Sequence, residues 1–202
     1  MPHKVFWCVP TGEHEYHYSR TGRGNGDCPS SPNGYHRGER TLARFSSAAD
    51  MPKAWPADDD PIWPAACDHC GATFTDANAS RSSGSRAIMK RADTGEEMPD
   101  KLPVGAVFEN DWVADIASYR RGPDGRVLIV VTPGGHWEID SRASNCTMPQ
   151  ENEHRCWVRH GRPEDGTLHV DKNGHTCAAG AGSIVCGNYH GFLHNGHLTD
   201  GC

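Results

Sequence analysis

The segment Cys67-Asp68-His69-Cys70-Gly71 constrains this chain more than any other. Two cysteines three positions apart, followed by glycine, form a tight turn whose thiolates can point at one tetrahedral metal ion. A structural zinc site needs four ligands, so the chain must supply two more. Upstream of this knuckle the only cysteines are Cys8, in Phe6-Trp7-Cys8-Val9-Pro10, and Cys28, in Gly26-Asp27-Cys28-Pro29. Cys8, Cys28, Cys67 and Cys70 are therefore the expected ligands of a structural Zn2+. His14, His17, His36 and His69 are the substitutes if one cysteine is not a ligand. The long gaps between Cys8, Cys28 and Cys67 differ from the paired CxxC…CxxC of a standard zinc ribbon. The expectation is a ribbon-like module that keeps one knuckle and takes its other ligands from separated loops. The plainer alternative is a pair of buried thiols in a turn.

Composition makes such a cross-link valuable. The chain has 202 residues, enough for one large or two small domains, yet only 36% are hydrophobic and the mean hydropathy is -0.69. With 23 glycines and 14 prolines it has little room for long helices. Nine cysteines and six tryptophans can compensate for a thin core. The predicted class is mainly β: short strands and ordered loops.

The net charge of -6 argues against a generic nucleic-acid or acidic-membrane binder. Residues 1–80 carry 7 basic and 10 acidic side chains, and residues 104–202 carry 8 and 12, so neither half is a basic domain. The one basic cluster, Arg81, Arg86, Lys90 and Arg91, reads first as a solvated linker. No apolar run approaches the ~20 residues that span a bilayer, and Val5-Phe6-Trp7-Cys8-Val9 is too short for the core of a signal peptide. The expectation is a soluble chain made in a reducing cytoplasm, where a CxxC favours metal over disulfide.

The expected organisation is a zinc-ribbon-like module over 1–77, a linker or extended arm over 78–103, and a β-rich domain over 104–202. In the first part, His3 to Val9 reads as a strand and Thr11 to Arg40 as ordered loop. One helical turn is expected within Thr41–Asp50, stopped by Pro52 and Pro56. Thr73-Phe74-Thr75 suits the second strand of a zinc hairpin. The last part offers Ile116–Arg121 and Arg126–Val131 flanking Gly122-Pro123-Asp124-Gly125, which reads as a β-hairpin. His136–Asp140, Cys156–His160, Thr167–Asp171, Ser183–Cys186 and His190–His194 follow as short strands. A small antiparallel sheet or barrel-like fold is expected there.

A second constellation, Cys146, Cys156, Cys177 and Cys186, is interleaved with His136, His154, His160, His169, His175 and His190. Without a knuckle, spacing cannot choose between a second metal site, disulfides and free cysteines buried in a β-core. Cys202 reads as a tail thiol. A cysteine-hydrolase reading would use Cys146 as nucleophile, His136, His154 or His160 as base, and Glu138 or Asp140 to orient it. Such a thiol needs an element that lowers its pKa, typically a helix N-terminus. Ser144-Asn145-Cys146-Thr147-Met148-Pro149 leads into proline and does not supply one. Ala179-Gly180-Ala181-Gly182-Ser183 lacks the G-x-S-x-G pattern of a nucleophile elbow.

The runs Pro133–Arg142, Cys156-Trp157-Val158-Arg159-His160-Gly161 and Tyr189-His190-Gly191-Phe192-Leu193 resemble an uncharacterised group of tailed-bacteriophage proteins. The resemblance covers roughly residues 104–202 and implies a phage origin; it transfers no functional residue. Together these readings lead to a non-enzymatic, zinc-stabilised structural and interaction protein. It would be an accessory component of a bacteriophage particle (capsid decoration, joining or tail-associated), found in the virion or in host cytoplasm before assembly. Its partners would be other protein subunits, with no membrane, no nucleic acid and no small-molecule substrate. The alternatives are a zinc-ribbon nucleic-acid-binding accessory factor and a Cys/His-dependent hydrolase.

Overall fold

The computed structural model describes residues 2–23, 26–31, 33–110, 121–122, 124–140, 158–171 and 183–201. They are mainly β, in several open sheets, with a single short 3-10 turn at Ala48–Asp50. Chain contacts divide the protein into two units. One comprises Met1–Val9 with Met89–Cys202, and the other Pro10–Ile88. The expected boundaries at 77 and 103 are thus replaced by crossings near Val9 and Ile88. The N-terminal strand belongs with the C-terminal part of the chain.

In the first unit, β1 (His3–Lys4) is the edge of a four-stranded sheet. Its other strands are β10 (Ile184–Cys186), β11 (Tyr189–His194) and β12 (His197–Asp200), in the order β1-β12-β11-β10. The β11–β12 hairpin turns at Asn195 and Gly196, both with positive φ, and aligns Leu193 with Leu198. Along β11 the inward residues Tyr189, Gly191 and Leu193 alternate with more exposed ones, the period of a half-buried strand. The short β8 (Val158–His160) and β9 (His169–Asp171) form a separate pair.

A second sheet layer contains β5 (Ala106–Glu109), β6 (Leu128–Thr132) and β7 (Gly135–Glu138). The start of β2 (Phe6–Gly22) joins β5 in parallel, Phe6 opposite Ala106 and Trp7 opposite Val107, so this sheet is mixed rather than antiparallel. All five residues of β6 are buried, which is why Leu128–Val131 runs apolar without alternation, and the polar Thr132 donates its hydroxyl to Gly135 O at 2.8 Å. Leu128 and Val130 join the main core with Val5, Val107, Trp137, Ile139, Leu168, Val170, Ile184, Leu193 and Leu198. Val131 faces the other way, onto Cys8 and Ala106. β6 pairs with β5, Val107 opposite Val130, and the strand expected at Ile116–Arg121 lies, but for Arg121, outside the described residues. The predicted turn is present as hydrogen bonds from Gly122 N to Arg126 O and from Gly125 N to Gly122 O.

The first unit also buries a charged network. Arg159, 4% exposed, donates to Asp124 and, at 3.2 Å, to Asp140 Oδ2, while Arg126 reaches Asp124 at 2.7 Å and Glu164 at 2.6 Å. Gly122 leaves room for it: a Cβ there would strike Arg159 and Asp140.

In the second unit, β2 from His14 onwards pairs with β3 (His36–Phe45), and β4 (Ser80–Arg91) pairs with β2 on its other side. The stretch expected as loop between Thr11 and Arg40 is therefore largely strand, and the expected linker 78–103 contains a 12-residue strand. Side chains tie β4 down: Thr11 Oγ1 donates to Ile88 O at 3.0 Å, Tyr16 to Ser83 at 2.9 Å, and Ser19 and Ser82 hydroxyls are 2.7 Å apart. The basic cluster on β4 is occupied within the chain. Arg81 pairs with Asp76 and Asp58, Arg86 with Glu15 and Glu39, and Arg91 with Asp93. No helix among the described residues is long and apolar enough to cross a membrane.

The network predicts an acid-sensitive first unit. The Arg159 guanidinium, aided by Arg126, holds the Asp124 carboxyl below its usual range. A depressed folded-state pKa stabilises fully above the unfolded value near ~3.9, and the contribution disappears as pH falls through the folded value. Arg159→Met should flatten that acid dependence in urea-denaturation series. At neutral pH it should cost about 3–5 kcal/mol, because it strips the guanidinium from buried Asp140.

Candidate metal centre

Three pieces of the second unit converge on one point. Cys28 comes from the loop between β2 and β3, His36 opens β3, and Cys67 and Cys70 come from the knuckle. Their ligand atoms all lie within 4.8 Å of one another.

Local chemistry explains each position. In the knuckle, Cys67 N donates to Ala72 O at 2.9 Å, Gly71 N to Cys67 O at 2.9 Å, and Phe74 N to Ala65 O at 2.9 Å, around an antiparallel bridge between Ala66 and Thr73. The strand expected at Thr73-Phe74-Thr75 is reduced to this single bridge at Thr73. Gly71 stands at φ 76, the left-handed region where glycine is favoured, and so turns the chain directly after the second thiol. The knuckle then locks onto β3. Asp68 N donates to Arg37 O at 2.9 Å, and Asp68 Oδ2 accepts from Glu39 N at 2.8 Å. Gly38, between those two residues, permits the approach, since a Cβ there would lie 2.6 Å from Ala66 O and 2.9 Å from the Phe74 ring. This docking brings His36 to the two thiols. On the other side, Cys28 N donates to Gly34 O at 2.8 Å, folding the loop so that its sulfur turns inward.

The geometry suits a tetrahedral ion. Metal–sulfur distances near 2.3 Å and metal–nitrogen distances near 2.0 Å imply sulfur–sulfur separations of about 3.8 Å and sulfur–nitrogen separations of about 3.5 Å. The Cys28 and Cys67 sulfurs are 4.0 Å apart, and Cys70 Sγ lies 3.3 Å from His36 Nδ1. Cys28 and Cys67 are each 3% exposed and His36 7%, while Cys70 faces solvent. Cys28 and Cys67 also form the small local core with Phe74 and Ala79. The Nε2 of His36 is buried with no hydrogen-bond partner among the described residues, leaving Nδ1 as the nitrogen directed at the sulfurs.

Electrostatics divides the thiols. Burial pushes Cys28 up, only partly offset by the Ser30 N–H, and its sulfur neighbours Cys70 and Cys67 push it further. Cys67 is also penalised by burial, yet N–H groups of His69 and Cys70, with Arg37 and His36, hold it below the ordinary thiol range. Of the two buried thiols, Cys67 is thereby the better suited to bind a cation as thiolate. A divalent cation relieves the cost of crowding further sulfurs beside it.

Of the four cysteines expected as ligands, three are brought together and the fourth is not. Cys8 lies in the first unit, 1% exposed against Ala106 and Val131, and burial pushes its thiol up to about 11. Such a thiol stays protonated and apolar at neutral pH. The vacant role falls to His36, one of the four substitutes; spacing could not select it, because its delivery depends on β3 docking to the knuckle. His17 instead sits beside Gly84, and His69 projects from the exposed knuckle.

The second constellation is only partly described. Cys146, Cys156, Cys177, His154 and His175 lie outside the described residues, as does Cys202. Cys186 is half-buried and its thiol donates to His136 O at 3.3 Å. Asp140, the orienting carboxylate of the hydrolase reading, is engaged by Arg159. Comparison with protein-family models, with curated proteins and with solved structures finds no match to this chain.

Substitution should separate the two sets of ligands. Elemental analysis of purified protein should find Cys8→Ser retaining the metal of the wild type, while Cys28→Ser, His36→Ala and Cys67→Ser lose it or bind it at least about tenfold more weakly. Gly38→Val should weaken metal binding without touching a ligand.

Proposed function

We propose that the second unit is a zinc-stapled module, a variant ribbon with one knuckle, and that the protein is a non-enzymatic structural and interaction component of a larger protein assembly. The convergence of Cys28, His36, Cys67 and Cys70 carries this reading. Three sulfurs and an imidazole are a soft, tetrahedral donor set of the kind that favours Zn2+. With four protein ligands present, no coordination position is left for a substrate or an activated water, so the metal would act on folding rather than on chemistry.

Several features fit the interaction role. Trp55, 57% exposed, stacks at 5.0 Å on Trp63, and Tyr35 and Leu42 are also exposed on this unit. A phage particle is the setting that the resemblance of the C-terminal sequence implies, with other particle proteins as partners. The nucleic-acid alternative is disfavoured by the pairing of Arg81, Arg86 and Arg91 with carboxylates of the same chain.

Metal analysis tests the reading. One zinc per chain is expected. Its removal by a chelator should abolish amide-exchange protection in β3 and the knuckle, and leave the β11–β12 hairpin protected. Zinc-dependent folding free energy in finger peptides reaches about 10 kcal/mol or more, so the shift should be large. Acidification should release the metal, because thiolates and neutral imidazole bind it and protons compete. Purified protein without zinc, and with unchanged protection after chelation, would refute the proposal.

A further inference from the structure

We propose that the knuckle is also a redox-operated release point for the metal: a hydroperoxide oxidises Cys70, Cys67 closes a disulfide onto it, and the ion leaves. This rests on the zinc reading above and assigns a means of regulation to the same site.

The asymmetry of the ligand set carries the inference. Cys28, His36 and Cys67 are buried, whereas Cys70 is the least buried of the four. The most accessible thiolate of the set is the ligand an oxidant reaches first. Its resolving partner is already in place, since the Cys67 sulfur lies within 4.8 Å and is three residues away along a turn. Closing to the ~2.05 Å of a disulfide needs movement of the exposed end only.

The chemistry balances in two steps. The Cys70 thiolate attacks the peroxide, forming an S–O bond and breaking the O–O bond; the departing alkoxide takes a proton to become an alcohol, or water when the oxidant is hydrogen peroxide. The resulting sulfenic acid is two electrons more oxidised. The Cys67 thiolate then attacks that sulfur, forming the S–S bond and expelling hydroxide, which takes a second proton and leaves as water. Two thiolates, one hydroperoxide and two protons become one disulfide, one alcohol and one water.

Only Cys28 and His36 remain as donors after that, two short of the four a structural zinc requires. The backbone ties from Asp68 to Arg37 and Glu39 stay, so the knuckle keeps its place on β3 while the Cys28 loop loses its anchor. A thiol reductant would regenerate both ligands and permit reloading.

Zinc-loaded full chain treated with hydrogen peroxide tests this, with release read by a chromophoric chelator and cysteines mapped by peptide mass. The expected result is loss of one zinc per chain, a Cys67–Cys70 disulfide, a trapped sulfenic acid at Cys70 at early times, and recovery on reduction with added zinc. Cys70→His keeps a fourth donor but removes the exposed thiol, and should release zinc about tenfold more slowly or less. Zinc absent before peroxide is added would remove the metal site and the switch together. Zinc present at first but retained after oxidation, or released equally from Cys70→His, overturns the switch and leaves the site standing. Should the variant fail to load, the wild-type map decides: zinc lost without a Cys67–Cys70 disulfide also overturns it.

Discussion

Docking of the knuckle onto β3 is the contact on which the second unit depends. Two hydrogen bonds from Asp68 and the bare surface of Gly38 hold the turn against the strand, and that contact alone brings His36 to Cys67 and Cys70. The local core behind it is small: Cys28, Cys67, Phe74 and Ala79, with Ala72 at its margin. So little apolar area contributes only a few kcal/mol at roughly 25 cal/mol per Å2, too little to offset the ordering of the surrounding loops. In the proposed zinc module, metal coordination would supply the missing free energy and join three segments far apart in sequence. Two of those segments are irregular loops, which have few other reasons to stay folded.

The first unit solves the same problem differently. Its core is a continuous set of aliphatic and aromatic side chains drawn from both larger sheets and from the β8–β9 pair, with β6 buried on both faces. The ion network of Arg159 is set within this unit and is satisfied by two carboxylates, so the charge is matched rather than excluded. Cys8 takes part in this core as a small apolar group. The same residue type therefore has two environments in one chain: Cys8 is buried among aliphatics, and Cys67 sits in a cluster of possible metal donors.

Much of the candidate site was legible in the sequence, because a CxxCG turn is a local structure. Five residues, Cys67 to Gly71, fix it, and its two cysteines need no distant partner to be recognised. Cys28 was legible by scarcity, as one of two cysteines upstream. Choosing between Cys8 and His36 was not a local question. Proximity in space depends on which strands pair, and the parallel contact of Phe6 with Ala106 takes Cys8 into the other unit. Strand β4 was missed for a related reason. Ser80-Arg81-Ser82-Ser83-Gly84-Ser85 has the composition of a linker, and its strand character comes from hydroxyl contacts to β2 and from ion pairs, which composition does not encode. In the C-terminal part the alternating or continuously apolar segments were legible, whereas the pairing of β6 with β5 joins segments that no local pattern links.

The sequence by itself determined the class, mainly β with a thin core, and the presence of a thiolate knuckle, because both follow from residue chemistry over short spans. Tertiary structure decided the division of the chain, with the first nine residues joined to its C-terminal part, and it decided which fourth donor joins the candidate cluster. The reason is physical: a tetrahedral site is satisfied by any suitable donor within about 2.3 Å of the ion, and which donor arrives is set by long-range strand pairing and by a glycine that lets two backbones meet.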